Sequence, residues 1–206
     1  MEVVLSTRNP SKAEQIKAVF AGSPIQIITL SEAGIDGQGV EDGTTLRENA
    51  LKKAMFVHQQ NPNVWAMADD SGIFIDALGG KPGVHTADWL GGKIDPKVKL
   101  PLILRELEKV NDRSATFRTV VAIVNGNSEN SKRFFVGEVR GTLLLKARCE
   151  PQPQMPRSAI FLPDGSDKVF AEMTTEEENV ISHRGKAFHK VRTFLENSKR
   201  VGSFYY

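Results

Sequence analysis

Three polar phrases in the 206-residue chain carry residue types from which a phosphate or metal site can be built. In Ser6-Thr7-Arg8-Asn9-Pro10-Ser11-Lys12, backbone N–H groups, the Thr7 hydroxyl, the Asn9 amide and the Lys12 ammonium would together cradle an anion at a helix N-terminus. The phrase lacks the Gly-x-x-x-x-Gly-Lys spacing of a Walker loop, and alone it also reads as a helix cap followed by a solvated lysine. The second phrase is an acidic set, Glu41, Asp69 and Asp70, beside glycine turns or strand ends. Adjacent carboxylates on a strand point to opposite faces, so one would work on a ligand while the other supports it. Magnesium is satisfied by a few carboxylates plus phosphate oxygens, so Glu41 with one aspartate suffices; the alternative is an Asp-Asp-Ser-Gly turn that caps its own backbone. The third phrase, Ser182-His183-Arg184-Gly185, opens the last helical pattern with hydroxyl, imidazole and guanidinium donors suited to a carbonyl or phosphate. A serine N-cap with exposed neighbours is the plainer reading.

Other chemistries find less support. No H-E-x-x-H or G-x-S-x-G phrase occurs, and Cys149 is the single cysteine, which rules out an intramolecular disulfide and a cysteine zinc centre. The net charge of +2 is spread without a basic stripe, so neither nucleic acid nor a membrane surface is an expected partner. No run approaches the roughly 18 apolar residues of a membrane span, and no targeting segment is expected. At 40% hydrophobic residues the chain can bury a sizeable core, and the cytoplasm is its expected location.

The elements that must position these phrases follow from pattern. Residues 2–6 predict a strand, and Ile16, Val19 and Phe20 predict a helix after the first polar loop. Ile25 to Leu30 predicts a second strand; Thr44 or Thr45 with Glu48 resembles a capping box opening a helix to about residue 60. A strand from Trp65 to Ala68 runs into Asp69, and strands near 116–125 and 132–139 flank Asn125-Gly126-Asn127, a hairpin signal. Pro151 to Pro156 predicts an extended loop, and a final helix follows Ser182 with Phe188, Val191 and Leu195 on its apolar side. Phe204, Tyr205 and Tyr206 could dock on a neighbouring subunit or fray. Together these predict an α/β fold with a long mixed sheet.

Taken in order, the phrases resemble the Ham1/inosine triphosphate pyrophosphatase family over nearly the whole chain. The matching stretches are Ser6 to Lys12, Glu41 to Thr45 with Glu48 to Ala54, Ala68 to Gly72, Asp76 to Val84, Phe161 to Gly165 with Lys168 to Glu172, and Ile181 to Gly185. The resemblance implies one domain over residues 1–206 with two helical lobes flanking a central cleft, a homodimer, and magnesium-dependent cleavage of a nucleoside triphosphate to monophosphate and pyrophosphate. Inosine, deoxyinosine and xanthosine triphosphates are the implied substrates. Carried over by position, Thr7, Asn9 and Lys12 meet the triphosphate with Lys53 beside them, and Glu41 and Asp70 hold the metal. Asp70 also orients water, Ser71 touches substrate, and Ser182, His183 and Arg184 read the base.

Two departures fall on the implied base pocket. Where the family has Phe-Gly-Tyr-Asp-Pro, this chain has Met155-Pro156-Arg157-Ser158-Ala159, and a one-residue gap would instead align Arg157 with the family aspartate. Where the family has Glu-Glu-Lys-Asn, this chain has Glu176-Glu177-Glu178-Asn179, which turns a donor into an acceptor at Glu178. A family member with altered base specificity, or a nucleotide-binding protein without turnover, is the alternative expectation.

Overall fold

The structure is a computed structural model that describes residues 1–92 and 94–202, and the side chains through Ser198. Phe204, Tyr205 and Tyr206 lie outside the described residues. Strand β1 (Glu2–Leu5) leads into helix α1 (Pro10–Val19), which Asn9 starts by accepting from Lys12 N, with proline in the first turn where its missing N–H costs nothing. Strand β2 (Gln26–Thr29) follows, then α2 (Leu46–Gln60), β3 (Trp65–Ile75), β4 (Pro82–Gly83), α3 (Pro96–Glu106), β5 (Ser114–Val124), β6 (Lys132–Leu143), β7 (Phe161–Pro163), α4 (Thr175–Ile181) and α5 (His183–Gly202).

The strands make one mixed sheet in the order β2-β1-β3-β5-β6-β7, with β4 on β3. Strand β1 is parallel to both neighbours, and every pairing from β3 onward is antiparallel. Alternation along β1 shows how the sheet is covered. Val3 and Leu5 face a cluster with Ile16 of α1 and Phe188, Val191 and Leu195 of α5, whereas Val4 faces Ala50, Ala54 and Val57 of α2. The far halves of the long strands enter a separate cluster, where Ile73, Ile75, Ala115 and Leu143 pack with Leu100 and Ile103 of α3 and with Phe161 and Phe170. Strands β3 and β5, of 11 residues each, span about 36 Å and pass through all three clusters. This is the α/β architecture with a long mixed sheet and helices on either side that the sequence predicts.

Two local expectations are corrected and one is borne out. Strand β3 does not stop at Ala68: Asp69 and Asp70 lie within it, opposite Val121 and Val120 of β5, so Asp-Asp-Ser-Gly is extended backbone and no turn. Pairing with a long neighbour supplies the ladder bonds that outweigh the local turn preference of those residues. The hairpin signal at Asn125-Gly126-Asn127 holds: β5 and β6 pair antiparallel, Val124 faces Lys132, and 125–131 form the connection. The segment Pro151 to Pro156 folds back on itself, with a bridge between Gln152 and Met155 and Gln154 at φ +60°, because Ser158 Oγ takes the Gln152 N–H at 2.8 Å. The capping signal is shared between two threonines: Thr45 accepts from Glu48 N, while the Glu48 carboxylate returns to Thr44 N at 2.8 Å. No helix among the described residues is long and apolar enough to cross a membrane.

Candidate functional site

A cavity of about 640 Å³ lies where the two halves of the sheet meet. Its wall includes Thr7, Asn9, Lys12, Glu41, Lys53, Asp70, Ser71, His183 and Arg184, so nine of the ten sequence-predicted residues converge on one space. Ser182 is the exception. It is fully buried and accepts the Gly185 N–H at 3.0 Å, which caps the start of α5 and keeps its hydroxyl off the wall.

The β1–α1 loop supplies one end. Asn9 accepts the Lys12 N–H at 3.0 Å through Oδ1, and Thr7 Oγ1 accepts the Asn9 N–H at 3.2 Å. Both side chains thus spend acceptors on the loop and keep the Asn9 NH₂ and the Thr7 O–H for an acceptor such as phosphate. Arg8 donates to Gly37 O at 3.0 and 2.9 Å and so fastens this loop to the glycine-rich stretch carrying Glu41. Gly39 in that stretch is required sterically, since a Cβ there would lie 2.6 Å from Lys53 Cα. That close approach sets Glu41 Oε1 2.5 Å from Lys53 Nζ.

The two aspartates have separate surroundings, as alternation along a strand demands. Asp69 is 1% exposed and pairs with Lys12 Nζ at 2.8 Å, and the Ser71 hydroxyl donates to the same oxygen at 3.2 Å. Burial by itself would raise the Asp69 carboxyl, but the charges of Lys12, Arg184 and Lys53 prevail and hold it well below the usual carboxylate range. Asp70 faces α2, where Lys53 Nζ stands 3.7 Å from Oδ1 and Asn49 Nδ2 donates to Oδ2 at 3.0 Å. Burial raises the Asp70 carboxyl, with Lys53 and Asn49 opposing and Glu41 adding to the rise. For Lys53 the penalty of burial is exceeded by Asp69, Asp70 and Glu41, and its ammonium is raised. Glu41 and Asp70 therefore approach one cation from two sides, an oxygen donor pair that would suit a divalent ion shared with phosphate oxygens. Among the described residues no group of three or more His, Cys, Asp and Glu forms a metal centre from protein alone.

The other end is aromatic and polar. His183 stacks on Phe117 with centroids 4.7 Å apart at 18°, and Phe170 lies beside both. Burial, then the charge of Arg184, keeps the imidazole well below its usual value. Arg184 donates to Gln15 Oε1 and stands 3.8 Å from Met155 Sδ, while Asn179 Nδ2 donates to Gln15 O at 3.0 Å, so the α4–α5 corner is sewn to α1. Arg157 is 7% exposed, donates to Thr86 O at 3.1 Å and lies over Trp89 at 5.4 Å; burial lowers it to about 10.

A family model described as the Ham1 family matches residues 3–194. The chain belongs to the Ham1 family. A dITP/XTP pyrophosphatase of Caldanaerobacter subterraneus is 34% identical over 197 residues, 95% of this chain and 96% of that one. The dITP/XTP pyrophosphatase of Bacillus subtilis is likewise 34% identical, over 95% of this chain and 97% of its own length. Among solved structures, a HAM1 protein of Coxiella burnetii superposes with TM-score 0.84 at 29% identity, covering 96% of this chain and 99% of that one. The Staphylococcus aureus Ham1 protein gives 0.81 at 29% identity over 96% and 100%.

Supporting residues of this Ham1 site escaped the sequence reading. Asn49 had a usable signal, being a poor helix former inside α2 one turn before Lys53; it bridges the Gly43 N–H, 2.7 Å from its Oδ1, to Asp70. Lys99, buried and donating to Ala87 O and Gly92 O, had none, since neighbouring lysines of α3 look the same in sequence.

Proposed function

We propose that the chain hydrolyses a non-canonical purine nucleoside triphosphate, such as ITP, dITP or XTP, to the monophosphate and pyrophosphate. The observation that carries this reading is the convergence of the Thr7–Lys12 loop with Glu41, Lys53 and Asp70 on one cavity, and the names of the relatives support it.

The triphosphate lies along the start of α1. Thr7 O–H and Asn9 NH₂ donate to its oxygens, and the ammonium groups of Lys12 and Lys53 disperse its charge. Glu41 and Asp70 would hold magnesium, which when bound screens the phosphate charge and lowers the pKa of water. Asp70 also aligns the attacking water and receives its proton, and Asn49 fixes the carboxylate in place. Water attacks the α-phosphorus, the α–β bridging bond breaks, and pyrophosphate leaves with its negative charge facing the lysines. Ser71 stands on the substrate side next to Asp70, and His183 and Arg184 line the base end. A homodimer in the cytoplasm completes the reading, on the family resemblance, and sedimentation equilibrium tests the dimer.

The decisive assay is pyrophosphate release from ITP, dITP and XTP by the purified chain with magnesium. Turnover is expected, abolished by a chelator, restored by magnesium, and reduced at least a hundredfold in Asp70→Asn. Nucleotide binding without metal-dependent release, indifferent to Asp70→Asn, would instead favour a non-catalytic nucleotide-binding protein.

A further inference from the structure

The lysines of the phosphate end are already matched by acids of the chain. Lys12 Nζ lies 2.8 Å from Asp69 Oδ2, and Lys53 Nζ lies 2.5 Å from Glu41 Oε1 and 3.7 Å from Asp70 Oδ1, so two ammonium groups face three carboxylates. A triphosphate entering this end needs positive charge beyond theirs. Arg8 also lines the cavity and stands apart from that balance. Its Nε and Nη2 donate to a neutral oxygen, Gly37 O, at 3.0 and 2.9 Å, and among the described residues it makes no salt bridge. The guanidinium therefore keeps its charge, and the N–H groups of its outer edge, one from Nη1 and one from Nη2, for a ligand. The bonds to Gly37 also order a long side chain before any ligand arrives, which lowers the entropic cost of binding through it.

Depth decides which phosphate Arg8 meets. The Asp70 side chain is 14% exposed and that of Lys12 17%, whereas Arg8 is exposed and forms part of the mouth. A triphosphate whose α-phosphorus reaches Asp70 leaves its terminal phosphate for the mouth. Resting on the reading above that a nucleoside triphosphate is the substrate, we propose that Arg8 clasps the terminal phosphate through Nη1 and Nη2 and so sets this chain's preference for triphosphates over diphosphates. Two parallel N–H···O bonds match two oxygens of one phosphate, a geometry that a lysine cannot offer. The departing pyrophosphate gains a counter-charge that neither Lys12 nor Lys53 has to spare. A diphosphate seated with its α-phosphorus at Asp70 stops short of the guanidinium. Were Arg8 only a staple between the phosphate loop and Gly37, its loss would weaken every ligand of the loop alike, whatever the number of phosphates.

The test is titration calorimetry of the full chain, with magnesium, against three ligands: the α,β-methylene analogues of ITP and IDP, whose α–β link resists hydrolysis, and IMP. Arg8→Gln is expected to weaken the triphosphate analogue about tenfold, the scale of hydrogen bonding to a charged group, and to leave the diphosphate analogue and IMP unchanged. Arg8→Lys, which keeps the charge but not the fork, should recover part of that loss. An equal loss for all three ligands overturns the proposal and makes Arg8 a staple of the loop. A loss for the diphosphate analogue as large as that for the triphosphate overturns it too, as does an unchanged affinity for the triphosphate analogue in Arg8→Gln. Pyrophosphate release from ITP is scored separately. A chain that binds as expected but cleaves no triphosphate upholds this inference and defeats the proposed activity, one that cleaves ITP with an affinity indifferent to Arg8 does the reverse, and one that binds none of the three ligands defeats both.

Discussion

Lys12 Nζ lies 2.8 Å from Asp69 Oδ2, deep enough that Asp69 is 1% exposed, so the cation of the phosphate loop is anchored to the middle strand of the sheet. Arg184 and Lys53 also act on this carboxylate. Asp69→Asn leaves three positive groups without their shared counter-charge. The expected cost is about 3 kcal/mol of folding stability, the scale for breaking a buried pair, read as a lower urea midpoint with unchanged m-value. A midpoint equal to that of the native chain would show the pair to be dispensable.

His183 gives stability a pH dependence whose sign is fixed. Burial and Arg184 hold the folded imidazole well below its ordinary value, whereas an unfolded histidine takes a proton below about pH 6.5. Below that point the unfolded state binds more protons, so stability falls as pH falls toward the folded value, by up to about 1.4 kcal/mol per unit. His183→Phe, which keeps a ring against Phe117, should remove that slope between pH 6.5 and 5 in urea unfolding. An identical slope in the variant would assign the proton uptake elsewhere.

Asn49 connects the Gly43 N–H to Asp70 Oδ2, at 2.7 and 3.0 Å. Asn49→Ala should lower kcat about tenfold with little effect on KM, because the carboxylate loses its orientation and the phosphate cradle is untouched. Steady-state pyrophosphate release measures both constants. An effect confined to KM would mean that Asn49 acts on binding.

Strand β6 meets the start of α5 at Gly137, where a Cβ would lie 2.0 Å from His183 O and 2.6 Å from Ala187 N. Both are backbone atoms and cannot rotate away. Gly137→Ala is expected to cost about 3 kcal/mol by overpacking and to weaken IMP binding along with it, since α5 carries His183 and Arg184. Thermal melts and calorimetry on the same sample would show whether the two losses travel together.

What the sequence disclosed depended on whether the signal was local. Strand β1, helix α2 and the Asn9 cap could be read because apolar period and cap chemistry lie within a few neighbouring residues. Asp69 and Asp70 misled because adjacent acids before Ser-Gly look like a turn until the β5 partner is known. Helix α3 went unread, its period interrupted by Pro101 and its lysines giving no hint that Lys99 is buried. In the site, the loop residues were legible from type and order. Gln152 was hidden in a proline-rich segment whose fold depends on Ser158 and on Glu178, 26 positions away.

Gln15, near one end of the sequence, is grasped by Asn179 and Arg184, near the other. During synthesis a ribosome-bound chain would already display the phosphate loop and both acidic positions while the wall opposite them is still unmade. Competence therefore arrives late and all at once, when the α4–α5 corner docks on α1. A proteolytic nick that freed this corner would also withdraw Phe188, Val191 and Leu195 from the cluster against β1, so the chamber and that side of the core would be lost together.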